Sequence, residues 1–142
     1  MKSLPFAGLL ALPLFCLLCL RSDARYQQAG YVLQHSDETG REEAGPHAGG
    51  GKTTVYPFFS QVRDFKMAFR KRVLHPGSAI GYHLQQTDEV YYILSGQGEM
   101  NMNGQILRLK AGDALLTRAG SSHGLRPVGR DDLSLIITYD LP

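Results

Sequence analysis

Beyond residue 55 the chain alternates short apolar-rich runs with turn residues, and the runs have the length and period of strands. Lys66 to Leu74 ends at the turn pair Pro76-Gly77, and Ile80 to Gln85 forms a second short run. Val90-Tyr91-Tyr92-Ile93-Leu94 is β-branched and aromatic and stops at Ser95-Gly96. Glu99 to Met102 and Gln105 to Lys110 flank Asn103-Gly104, and Asn-Gly between two short strands is the strongest local hairpin signal. Ala114 to Thr117 and Leu133 to Tyr139 complete the series. Many short strands at close spacing, with no long helical period, predict an all-β antiparallel sandwich or barrel over residues 55–142.

Upstream the pattern changes twice. Residues 1–24 open with Lys2, continue through an uncharged apolar run from Leu4 to Leu20, and end in the small-residue stretch Ser22-Asp23-Ala24. That order is the pattern of a secretory signal peptide, with cleavage expected after Ala24 and a secreted or periplasmic destination. Pro5 and Pro13 weaken the run as a permanent membrane helix, so no stable membrane association is expected after cleavage. Both cysteines, Cys16 and Cys19, leave with the signal, which removes thiolate ligands and nucleophiles from the mature chain. Residues 25–54 carry glycines at 30, 40, 45, 49, 50 and 51 between acidic residues, show no sustained period, and are expected to be a flexible arm or linker. The balance of 15 basic against 13 acidic residues, without a basic cluster of any length, argues against nucleic acid as a partner.

The glycines and histidines of the barrel region fall into an order of their own. Gly77 is followed by five residues and His83, then one residue and Gln85, three more and Glu89, and six more and Gly96. Further on, Gly112, Gly120 and His123 repeat a second spacing, with Arg118 at the place of a usual Pro. Together these stretches resemble the two motifs of the cupin superfamily, in particular its small single-domain members. The first motif normally has a second His where this chain has Gln85, and the trailing Asn of the second motif is replaced by Pro127. The resemblance implies a jelly-roll barrel (a double-stranded β-helix), often a homodimer, with one divalent transition metal ion (Zn, Mn, Fe, Ni or Co) held by His83, Gln85, Glu89 and His123.

The spacing has a physical logic. Residues two apart in a strand share a face, so His83 and Gln85 aim together while Tyr82 and Leu84 aim away. Glu89 opens the next strand and lies beside them if that strand pairs with the first. His123 comes from a distant part of the chain, which requires a closed or folded-over sheet. Two imidazoles, an amide oxygen and a carboxylate make a mixed nitrogen and oxygen set suited to these metals, with positions left open for a small-molecule ligand or substrate. If Glu89 faces inward then Tyr91 and Ile93 do too, with Val90, Tyr92 and Leu94 outside. Tyr91 is then the candidate catalytic acid or base, or a core residue with its hydroxyl satisfied. Arg70 and Arg72 share a face, expected to be the solvated one. His47 reads either as a loop residue or as an extra ligand or gate from a folded-in arm. The function expected is an exported metal-dependent enzyme of dioxygenase, isomerase or lyase type acting on a small polar molecule. The alternatives are a non-catalytic small-ligand (sugar-like) binding module and a metal-free structural dimer.

Overall fold

A computed structural model of the chain describes residues 30–142. The compact unit Gln34–Pro142 carries the whole barrel, and residues 30–33 belong to a separate unit. The expected signal peptide lies outside the described residues. No helix among the described residues is long and apolar enough to cross a membrane.

A single helical turn, α1 (Ser36–Thr39), precedes ten strands. They are β1 (Arg41–Ala44), β2 (Lys52–Phe58), β3 (Met67–Leu74), β4 (Ile80–Leu84) and β5 (Glu89–Ser95), then β6 (Gln97–Met102), β7 (Gln105–Lys110), β8 (Ala114–Thr117), β9 (Ser122–Pro127) and β10 (Leu133–Asp140). All pairings are antiparallel and build two sheets, ordered β1-β2-β3-β10-β5-β8 and β4-β9-β6-β7. This is the jelly-roll arrangement the sequence led us to expect. At the β6–β7 turn both Asn103 (φ 51°) and Gly104 (φ 87°) are left-handed, which matches the twist of a two-residue hairpin.

Alternation is clean on β5 and breaks at the start of β10, where Leu133, Ser134 and Leu135 are all buried. On β5, Glu89, Tyr91 and Ile93 are buried while Val90, Tyr92 and Leu94 are exposed, as expected. Tyr91 and Ile93 join Leu74, Ile80, Met100, Leu109, Leu125, Leu133, Leu135 and Ile137 in one apolar cluster between the sheets. Each such side chain contributes about 1.5–3 kcal/mol by leaving water, so the cluster anchors the strands that carry the polar residues discussed below.

The domain boundary expected at Val55 falls inside β2, because the segment read as an arm is built into the sheet from Arg41 onward. Its glycines are the reason. The loop 45–51 between β1 and β2 lies against the free edge of β4, where Gly81 N–H donates to Pro46 O (2.9 Å) and Ala79 N–H to Gly50 O (3.4 Å). A Cβ on Gly49 would collide with the Ala79 carbonyl, and one on Gly81 with the His47 carbonyl. Glycine is present here to permit backbone-to-backbone approach, not flexibility. The loop thereby bridges the edge of one sheet to the other. His75 makes a second tie: its ring nitrogens meet Thr54 Oγ1 (3.0 Å) and Asp132 Oδ1 (2.9 Å), joining β2, the end of β3 and the start of β10.

Candidate metal site

His83 on β4 and His123 on β9 are directly opposite in the antiparallel register. Their rings lie with centroids 4.4 Å apart. Glu89 does not extend this ladder, contrary to the pairing expected from sequence. The corner from Gln85 to Asp88 carries the chain across the barrel, so β5 pairs with β10 and β8 in the other sheet. Glu89 therefore reaches the two imidazoles from the facing sheet, and one donor atom from each of His83, Glu89 and His123 lies within 4.8 Å of the others. Gln85 lies at the end of β4, its backbone tied to the 118–121 turn through Ser121 O (2.8 Å) and Gly120 N–H (2.9 Å). It lines the cavity that His83 and Glu89 also line.

The donor set fits a metal ion on local chemistry. His83 Nδ1 is 2.8 Å from the Gly81 carbonyl, which can only accept. Its proton is thus on Nδ1, leaving Nε2 to coordinate, as ligating histidines are usually arranged. Glu89 Oε2 is buried without a hydrogen-bond partner, although it lies 3.3 Å from His123 Nε2. His123 is fully buried and its Nδ1 has no partner. A buried carboxylate oxygen and a buried ring nitrogen without partners are costly in a protein interior, and a cation between them would satisfy both.

Tyr91, buried beneath the donors, places its hydroxyl 2.8 Å from His123 Nε2. Burial, reinforced by the Glu89 charge, pushes its phenol well above the usual tyrosine range. The protonated phenol is favoured, so the group beside His123 is a hydroxyl that can donate.

Two further residues arrive at the site, His47 in keeping with one of its two readings and Arg72 against expectation. His47, at the tip of the 45–51 loop, stacks flat on His83 with centroids 3.5 Å apart and planes at 3°. Its backbone is left-handed (φ 54°), as is that of Ala48 (φ 58°), a conformation costing on the order of 1–3 kcal/mol at a non-glycine residue. Burial and the neighbouring His83 hold its imidazole below the usual histidine range. Arg72, expected on a solvated face, is only 3% exposed. Its guanidinium donates to Thr53 Oγ1 (2.9 Å) and to Glu43 Oε1 (2.7 Å) on β2 and β1. His47, Arg70, Arg72, Gln85, His83 and Glu89 line one cavity of about 390 Å³, with Ile80, Tyr91 and Ile137 as apolar lining and His123 buried behind His83 and Tyr91. Arg118, read as a rim residue or a surface ion pair, pairs with Asp88 (3.0 Å) on the surface.

Comparison with known proteins gives a consistent result. Residues 71–139 match the cupin domain family. The oxalate-binding protein of Thermotoga maritima is 32% identical over 110 residues, which cover 75% of this chain and 91% of the relative. The 5-nitrosalicylic acid 1,2-dioxygenase of a Bradyrhizobium species is 27% identical over 70 residues, 49% of this chain but only 34% of that protein. Among solved structures, a Thermotoga maritima protein described as a predicted oxalate decarboxylase superposes with a TM-score of 0.71 at 30% identity, covering 78% of this chain and all of that one.

Proposed function

Because the chain belongs to the cupin family, we propose that it holds one divalent transition metal ion through His83, Glu89, His123 and Gln85, and uses it to bind and act on a small carboxylic acid. The observation that carries this reading is the convergence of three donors from two facing sheets, two of them with buried polar atoms lacking partners, at the wall of one cavity that His83 and Glu89 line. The oxalate-binding relative supports an acid as the ligand class, and the relative named as a dioxygenase of 5-nitrosalicylic acid supports turnover of an acid. The chemistry such an ion supplies is Lewis-acid polarisation of a bound oxygen. The chain's own residues do the rest. Gly81 orients His83, Tyr91 holds His123 and keeps a proton beside the site, and Arg70 and Arg72 bring positive charge to the same cavity.

Elemental analysis of protein purified from its native compartment tests the metal. Stoichiometric metal in the wild type, lost in the His83→Ala/His123→Ala variant, is expected; equal content in both overturns the reading. Titration of the metal-replete protein with oxalate tests the ligand. A second reading, a binding module without turnover, is favoured by Gln85. Glutamine is a neutral donor, which weakens the hold on the ion relative to a third imidazole. Oxalate bound at the metal and recovered unchanged would decide for it.

Residues 1–24 direct the chain out of the cytoplasm in this proposal, and amino-terminal sequencing of the mature protein should begin at Arg25. A homodimer would cover the exposed outer row of Val90, Tyr92 and Leu94 on β5 with Leu116 beside it on β8. Light scattering at a dimer mass is the expected result.

A further inference from the structure

We propose that Arg70 is a specificity-determining residue that receives a second carboxylate, so that the preferred occupant of the cavity is a dicarboxylate longer than oxalate. The inference rests on the reading of the site as a metal-held acid pocket and concerns what the far end of the acid meets.

Three observations carry it. First, Arg70 lines the cavity yet forms no ion pair or hydrogen bond among the described residues, and its guanidinium only rests over the Tyr139 ring at 5.3 Å. Its neighbour on the same face, Arg72, is neutralised by Glu43, but its Nε is buried without a partner. Two guanidinium groups thus share the inward face of β3, against one carboxylate paired with Arg72. Second, charge must balance in a partly enclosed cavity. A divalent ion beside Glu89 leaves one positive charge at the donors, and unpaired Arg70 adds another. A dianion neutralises both, whereas a monocarboxylate leaves Arg70 uncompensated and a neutral sugar leaves both charges. Third, the register fixes the span. Ile137 on β10 pairs with Arg70 on one side and with Tyr91 on the other. Arg70 and Tyr91 therefore stand in one row two strands apart, about 10 Å between strand axes. The Arg70 guanidinium lies over Tyr139, whose strand partner is Glu89, so it stands beside the donors and is not one of them. Oxalate that chelates one ion commits both of its carboxylates to that ion. A dicarboxylate with a spacer places one carboxylate at the metal and the other at the guanidinium, which can bind it with two parallel hydrogen bonds.

Calorimetric titration of manganese(II)-loaded protein with succinate, butyrate and oxalate tests this. Succinate should bind about tenfold or more tightly than butyrate, as expected for one charge-assisted contact. Arg70→Gln should abolish that preference, bringing succinate and butyrate to within about twofold of each other while metal is still bound, and Arg70→Lys should restore part of it. Equal affinity for succinate and butyrate in the wild type overturns the proposal, as does a preference that survives in Arg70→Gln. If oxalate binds while succinate shows no advantage, only this inference fails. If the metal-loaded wild type binds none of the three acids, the acid-pocket reading fails with it.

Discussion

The cavity receives histidines by two different routes. His83 and His123 are delivered by strands: they occupy inward positions in a fixed register, and the apolar cluster that anchors those strands also fixes the rings. His47 is delivered by a loop of glycines, pressed backbone to backbone on the edge of β4 and bent through two left-handed non-glycine residues. The first route places donor atoms by alternation and tolerates change in neighbouring outward residues. The second depends on the absence of side chains, so one methyl group in the wrong place should displace the whole loop. Both routes end within stacking distance at His83.

The largest expected effect is on the strand route. His123→Ala removes a fully buried ring and should lower metal affinity about 100-fold or more, measured by competition with a chelator. In the wild type, stripping the ion with the same chelator should lower the thermal midpoint, because a ligand bound only by the folded state stabilises it. The same treatment should leave His123→Ala unmoved. If the variant holds metal as tightly as the wild type, the strand-borne donors are not the site. Next in size is the loop route. Gly81→Ala puts a Cβ into the His47 carbonyl, and the backbone must yield. The expected cost is about 2–3 kcal/mol by denaturant unfolding, comparable to other forced overpacking. Gly120→Ala is the control: the φ there is 87° but the space is open, so only the left-handed penalty of about 1–2 kcal/mol applies. Equal costs at the two positions would show that the loop contact is not what Gly81 serves.

This contrast also explains what could be read from the sequence. The strands from β3 to β8 and the last strand were legible because each run is bounded by turn residues, and Glu89, Tyr91 and Ile93 alternate cleanly with outward residues. The two motifs gave the donor residues, but not that Glu89 comes from the facing sheet, since nothing in Gln85 to Asp88 says whether a corner stays in one sheet or crosses to the other. β9 was read only as part of the second motif. β1 and β2 were missed because β1 is mostly charged, while β2 follows Gly49-Gly50-Gly51 and is interrupted by Pro57. Their pairing is decided by contacts with β3 and β4, remote in sequence. Arg72 was misplaced for a different reason. Both faces of β3 are mixed, with Ala68 and Leu74 on one and Phe69 and Val73 on the other, so alternation could not choose. Its burial depends on Glu43, 29 positions upstream.

Tyr91→Phe is smaller in stability and sharper in chemistry. The ring stays, and the lost contact is the 2.8 Å hydrogen bond to His123. About 1 kcal/mol of stability should go with it, since the imidazole nitrogen loses a partner in a dry environment. If the hydroxyl orients His123 for the ion, metal affinity should fall modestly while the fold persists. An unchanged metal affinity would assign the hydroxyl to packing alone.

The smallest effect concerns the rim, where neither route operates. Asp88 sits in the corner after β4, and its carboxylate accepts from the Ala119 N–H (3.0 Å) and from Arg118 Nε (3.1 Å). These contacts, the backbone N–H first and Arg118 after it, hold the carboxyl below its ordinary value of 3.8. The folded state therefore binds its proton less readily than the unfolded chain does. Asp88 contributes stability above the unfolded value, and the contribution disappears as pH falls through the lower folded value. Asp88→Asn should accordingly show a slightly lower urea midpoint than the wild type at pH 7, with the two converging in acid. The difference stays small because the backbone bonds between Gln85 and the 118–121 turn remain in the variant. A gap that persists undiminished at about pH 2 would mean that the side chain acts through its shape rather than its charge. The corner would then belong with the glycine loop, among the parts of the barrel held by close fit.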